Sequence, residues 1–144
     1  MAADTNSSAF SAEEKAAMKE AVAEARRAKR ADAAAADAAA CAEKIAEMAP
    51  EDRALAEKVR DIVTSVAPDL APRTFYGMPA WSKNGKVVVF FQAASKYKVR
   101  YATLGFQPDA HLDDGNMWAT SFAVTAIGPA EEKLIRELVE RATS

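Results

Sequence analysis

The segment Asp109-Ala110-His111-Leu112-Asp113-Asp114 gathers three carboxylates and the only imidazole of the chain. Oxygen donors with one imidazole suit Fe(II), Mn(II) or Mg(II) better than structural zinc, which takes several Cys or His. Asp109, His111, Asp113 and Asp114 are therefore the candidate metal ligands. The plainer account of the same residues is a polar surface loop whose Asp side chains cap turns. A second constellation is basic. Lys96, Lys98 and Arg100 recur at period two, which on a strand puts all three on one face, suited to phosphate or carboxylate. A solvated face of a half-buried strand would read the same way. Aromatic residues crowd the stretch from Phe75 to Trp118. Tyr76, Met78, Trp81 and Trp118, with the three basic residues, form the candidate ligand-binding set, although core packing also uses aromatics.

Signatures of catalysis are missing. The chain has no G-x-S-x-G, no Walker A sequence, no G-x-G-x-x-G, no C-x-x-C and no H-E-x-x-H. With one His and one Cys, nucleophilic and acid–base sets would have to come from Asp, Glu, Lys or Tyr. Cys41 lies on an apolar stripe with Ile45 and Met48, and no base motif is near it in sequence. The expectation is a protein that binds and does not catalyse.

The elements that must hold these residues are unevenly distributed. Twenty of the first 48 residues are Ala, so the large side chains of a core come mostly after Ile45. Ser11-Ala12-Glu13-Glu14 fits a capping box that starts a helix at residue 12. Acids lead and Arg26, Arg27, Lys29 and Arg30 follow, as the helix dipole favours. Met18 and Val22 are almost its only anchors. The expectation is a solvent-exposed, Ala-rich helical arm over residues 1–35, partly disordered, ahead of a folded unit over 36–144. A single helix from 12 to 48 would be about 55 Å long, so a break near the Ala run is expected. The basic cluster at 26–30 is expected to be a solvated helix end.

A short amphipathic helix is expected over about 37–48. Pro50, Glu51 and Asp52 then open another. Its stripe is Leu55, Val59, Ile62, Val63 and Val66, whose burial is worth roughly 7–15 kcal/mol before conformational entropy is charged. From Pro72 the pattern turns to β. Arg73–Tyr76 is a short strand, Pro79 points to an edge or bend, and Asn84-Gly85 suits a two-residue hairpin turn. Val87–Phe91 reads as a strand covered on both faces. Lys96–Ala102 alternates as a strand, 103–116 as a loop, and Trp118–Ile127 as a strand with Trp118, Phe122 and Val124 on one face. A last helix opens at Gly128-Pro129 with the stripe Leu134, Ile135, Leu138 and Val139. This order implies an α+β domain: an antiparallel sheet of about four to five strands with helices on one face.

Met48-Ala49-Pro50, the helix Leu55–Val66, the element Tyr76-Gly77-Met78-Pro79-Ala80-Trp81 and the strand start Gly85-Lys86-Val87 together resemble the YdhG-like family. These are small bacterial domains of unknown function, some described as frataxin-like intracellular iron chaperones. The resemblance spans about residues 37–142. It implies a YdhG-like fold and weak iron binding and delivery. Two departures stand beside it: Ser95–Tyr101 replaces the His-containing segment and Tyr-Pro that many relatives carry after the Gly-Lys strand, and the N-terminal arm is extra.

Net charge is −2, which gives no strong field for nucleic acid or an anionic membrane. The first residues lack the basic and apolar regions of a secretory signal, and one Cys allows no internal disulfide. The sequence therefore reads as a cytoplasmic monomer whose partner is a protein or a small anionic ligand. The rivals to iron delivery are a protein-interaction module that uses the helical arm and the exposed sheet face, and a small-molecule sensor that uses the basic and aromatic sheet face.

Overall fold

The computed structural model describes residues 10–144. The expectation of frayed residues at 1–9 lies outside them. Among the described residues four helices and five strands follow in the order α1 (Ala12–Arg27), α2 (Ala33–Ala46), α3 (Pro50–Val66), β1 (Ala71–Phe75), β2 (Met78–Lys83), β3 (Lys86–Gln92), β4 (Ala102–Phe106), β5 (Ser121–Val124) and α4 (Pro129–Thr143). The fold class is α+β. The strands pair antiparallel in sequence order, β1-β2-β3-β4-β5, a five-stranded meander.

Two tight turns set the register of the first three strands. Tyr76-Gly77 joins β1 to β2 and Asn84-Gly85 joins β2 to β3, and all four residues have positive φ. That is the backbone a two-residue hairpin needs to match strand twist, and Asn and Gly accept it at low cost. Tyr76 takes the same conformation at a higher one. Pro79 sits opposite Thr74, one residue before the β2–β3 ladder begins at Ala80 and Phe90. Pairs alternate outward from the closing pair Phe75 and Met78, so the Pro79 nitrogen points away from β1, and its missing N–H breaks no bond to that strand.

Register divides the sheet. Trp81, Val89, Phe91, Leu104 and Phe106 share a face and form one cluster with Cys41 and Ile45 of α2, Val59 and Val63 of α3, and Ile135, Leu138 and Val139 of α4. The opposite face carries Phe75 and Phe90, whose rings are 5.6 Å apart. A Cβ on Gly105 would run into the Phe90 ring, so glycine is what lets that ring lie flat across β4. Val87–Phe91 is thus not covered equally on its two faces.

Several expectations are corrected here. Residues 94–101 are turns, not a strand: Lys98 has φ +55°, and the Val99 N–H donates to the Ala94 carbonyl at 3.1 Å. The alternation of Lys and Tyr there is not a β period. The strand comes next, at Ala102–Phe106, all but its first residue inside the 103–116 stretch expected to be loop. Trp118 lies outside β5, while Phe122 and Val124 do share its inner face. Leu134 is exposed and Leu138 buried, so the α4 stripe is narrower than expected.

The arm is also corrected. The break expected near the Ala run occurs at residues 28–32, and the boundary expected between 35 and 36 falls inside α2. Ser11 does cap α1, its Oγ accepting from the Glu14 N–H at 3.1 Å. But α1 lies on the domain. Glu24 is only 7% exposed, and the Arg27 guanidinium donates to Thr74 Oγ1 at 2.8 Å. Counting apolar anchors missed these contacts because they are polar.

Candidate functional site

A cleft of about 290 Å³ opens between the α2–α3 junction, the start of β2 and the turns after β3. Its apolar wall is Met48, Met78, Pro79, Phe91 and Ala93, and its polar rim is Lys44, Glu47, Asp52, Ser95, Lys96 and Tyr97. Each part has a local cause. Pro50 begins α3 and turns the chain there, so Met48 and Ala49 sit at the mouth. Asp52, in the first turn of α3, is buried. Its carboxylate accepts from the Ala94 and Ser95 N–H groups at 3.3 and 3.1 Å. This pair of bonds folds the chain after β3 back over the cleft and brings Lys96 and Tyr97 to it.

The charges on the rim are unequal. Lys44 donates to Glu20 Oε1 of α1 at 2.9 Å and lies 3.7 Å from Glu47. Burial pulls its pKa down, but the Glu20 hydrogen bond with the Glu47 and Glu43 charges outweighs it, so the amine stands above the ordinary lysine value. Glu20 is correspondingly lowered, chiefly by that hydrogen bond from Lys44. Lys96 differs. Among the described residues no carboxylate lies within ion-pair distance of its amine. Burial, and then repulsion from Lys44, lower its pKa against weaker attraction from Glu20, Glu47 and Glu24. Tyr97 is raised by burial, then by the Glu20 and Glu24 charges.

Of the sequence-derived ligand set, the structure brings only Met78 and Lys96 to this cleft. Tyr76 occupies the adjacent turn and packs edge-on against Phe75 at 4.8 Å. Trp81 is 1% exposed and belongs to the core. The Lys98 amine is 2.8 Å from a Glu13 carboxylate oxygen. Arg100 stacks over the Tyr101 ring at 5.2 Å, and Trp118 is a partly exposed residue ahead of β5. The shared basic face is therefore not formed. Met48, Lys44 and Asp52 were missed because they come from two helices and the junction between them, far from Lys96 in sequence. The signal for them was the Met48-Ala49-Pro50 helix junction.

The metal candidates do not assemble either. Asp109 lies 4.0 Å from the Lys86 amine. The Nδ1 of His111 is 2.9 Å from the Ser144 main-chain oxygen, and the His111 N–H donates to the Ala142 carbonyl. Asp113 and Asp114 are exposed. Among the described residues no three His, Cys, Asp or Glu side chains converge as a metal centre. The residues present do not fit iron as a bound cofactor. Cys41 is buried, and burial raises its pKa, so it is held as the thiol. No described helix is long and apolar enough to cross a membrane.

Comparison with known proteins adds no relative: no family model matches the chain, and neither a curated protein nor a solved structure is significantly similar to it.

Proposed function

We propose that this protein is a non-catalytic binding protein whose ligand is a small organic anion with an apolar body. One observation carries the reading. The Lys96 amine stands at the rim of a cleft walled by Met48, Met78, Pro79 and Phe91, without a carboxylate partner among the described residues. A partly desolvated cation beside a second cation gains from a counter-ion. A ligand carboxylate supplies one, while its hydrocarbon part covers the thioethers and the Phe91 ring. The neighbouring acids do not compete from within the cleft, because Asp52 is committed to two main-chain N–H groups and Glu47 faces Lys44. The reading rests on this cleft and not on the likeness of the Tyr76–Trp81 element to YdhG-like domains. Iron delivery has no converged donor set behind it and is not part of the proposal.

The test is amide chemical-shift mapping with hexanoate and phenylacetate, each beside its uncharged alcohol. The acids should shift the signals of Gly77, Ala93, Ser95 and Lys96, and the alcohols should do so more weakly. Lys96→Met should weaken acid binding about tenfold, the effect of losing one charge-assisted contact. Absence of any shift at millimolar acid, or equal binding by Lys96→Met, rejects the reading.

A further inference from the structure

We propose that the surface beneath α1 is a receptor for an acidic helical segment with carboxylates four residues apart, and that α1 fills this receptor in cis. Glu20 and Glu24 project from one side of α1, as positions four apart on a helix do. Glu24 accepts from two successive main-chain N–H groups, Tyr76 at 2.9 Å and Gly77 at 3.0 Å. Positive φ at both residues turns these donors to the same side, a backbone concavity that takes anions. One turn earlier, Glu20 takes the Lys44 amine at 2.9 Å. It also lies directly over Gly77, where a Cβ would come 3.0 Å from Glu20 Cγ and 3.3 Å from the Lys96 amine. Two amides and the Lys44 ammonium thus form one donor surface, which the chain's own carboxylates occupy, with the Lys96 amine, unpaired among the described residues, beside it.

The attachment is of a kind that can be exchanged. Met18 and Val22, the large apolar residues of α1, are about half exposed, so the helix is not fastened by a hydrophobic stripe. What holds it is a set of polar bonds, and those made by Glu20 and Glu24 can be reproduced by another acidic helix. The short turn at residues 28–32 separates α1 from α2 and supplies the hinge. Charge complementarity selects the occupant: an anionic helix with the pattern Glu-x-x-x-Glu, supplied by a partner protein. The inference shares Lys44 and Lys96 with the cleft but does not need the cleft to hold a small anion.

The test uses the full chain and a fluorescein-labelled peptide with the sequence of residues 11–30. The Glu20→Gln/Glu24→Gln chain, with its own helix weakened, should bind the peptide at least about tenfold more tightly than the parent chain. A peptide carrying the same two Gln should lose that binding. In the parent chain, hydrogen exchange at the Tyr76 and Gly77 amides should proceed through local opening, faster than in β3. Equal binding by the two chains, or undiminished binding of the Gln peptide, overturns the proposal. So does exchange at Tyr76 and Gly77 that occurs only with global unfolding, a measurement that does not depend on how well the double variant folds. A parent chain that dimerises by trading α1 between copies would make the occupant a second copy and overturn the assignment to a foreign partner.

Discussion

The carboxylate of Glu24 and the main-chain N–H of Gly77 meet at 3.0 Å, 53 residues apart in sequence, and the bond is buried. The Tyr76 N–H reaches the other carboxylate oxygen at 2.9 Å. One acidic side chain on the first helix therefore serves both central amides of the turn between β1 and β2, which the sheet cannot pair. Through that turn it touches the rim of the cleft, since Gly77 and Met78 line it. The first helix, the first hairpin and the cleft are one connected unit.

Glu24→Ala should destabilise the chain by about 1–2 kcal/mol, because two charge-assisted bonds are lost while the freed amides reach water once α1 lifts. Met18→Ala, at a half-exposed position of the same helix, should change stability by less than about 0.5 kcal/mol. Denaturant midpoints of the two variants decide the matter. A larger loss for Met18→Ala would mean that apolar packing, and not the carboxylate, fastens α1.

The difference between these residues also explains what was legible in the sequence. Val59, Ile62 and Val63 reach the core as their spacing says, because a buried helix face must repeat with the helical period. Asn84-Gly85 forms its turn because few residues tolerate the required φ. Glu24 gave no such sign. Its partners are main-chain groups, which carry no side-chain signature and lie in a distant turn. The Lys96–Arg100 alternation misled for a related reason: period two is also what a run of turns can show by chance, and the bonds from Asp52 that fold this segment come from another element. The cleft was hidden because it is built where α2, α3, β2 and that segment meet.

Acid should release α1. Glu20 titrates below its ordinary value of 4.5 in the folded chain, chiefly because Lys44 donates to it. A depressed carboxylate contributes stability that is complete above its unfolded pKa and disappears as pH falls through the folded one. Lys44 is raised above 10.5, so its share is complete below 10.5 and is lost as pH rises through the folded value. The stability difference between the parent and Glu20→Gln should thus be flat at neutral pH, about 1 kcal/mol for a half-buried pair still screened by solvent, and should shrink below pH 4.5. A difference that grows on acidification contradicts the pairing.

The last helix offers a paired test of its buried face. Leu138 is 7% exposed and Leu134 49%. Leu138→Ala should cost roughly 2–5 kcal/mol, the loss of transfer energy plus a cavity, and Leu134→Ala less than about 0.5 kcal/mol. Thermal unfolding of both variants reads this directly. Equal losses would place Leu134 against the core and rotate α4.

The segment Asp109–Asp114 should fail as an iron site. Hard donors bind Fe(II) usefully only when several meet at one point. Here Asp109 stands near the Lys86 amine at 4.0 Å, and the His111 Nδ1 lies 2.9 Å from a main-chain oxygen, while Asp113 and Asp114 face solvent. Convergence would require His111 to leave the Ser144 oxygen and Asp109 to turn away from a cation. Each move gives up a contact before a metal bond forms. An anaerobic Fe(II) titration watched by paramagnetic broadening of amide signals should therefore show no saturable site at residues 109–114 at micromolar metal. His111→Ala with Asp113→Asn should leave the profile unchanged. Saturable broadening centred there, and abolished by those substitutions, would show that the segment closes around iron and that its contacts to Lys86 and Ser144 are weak enough to be exchanged for metal ligation.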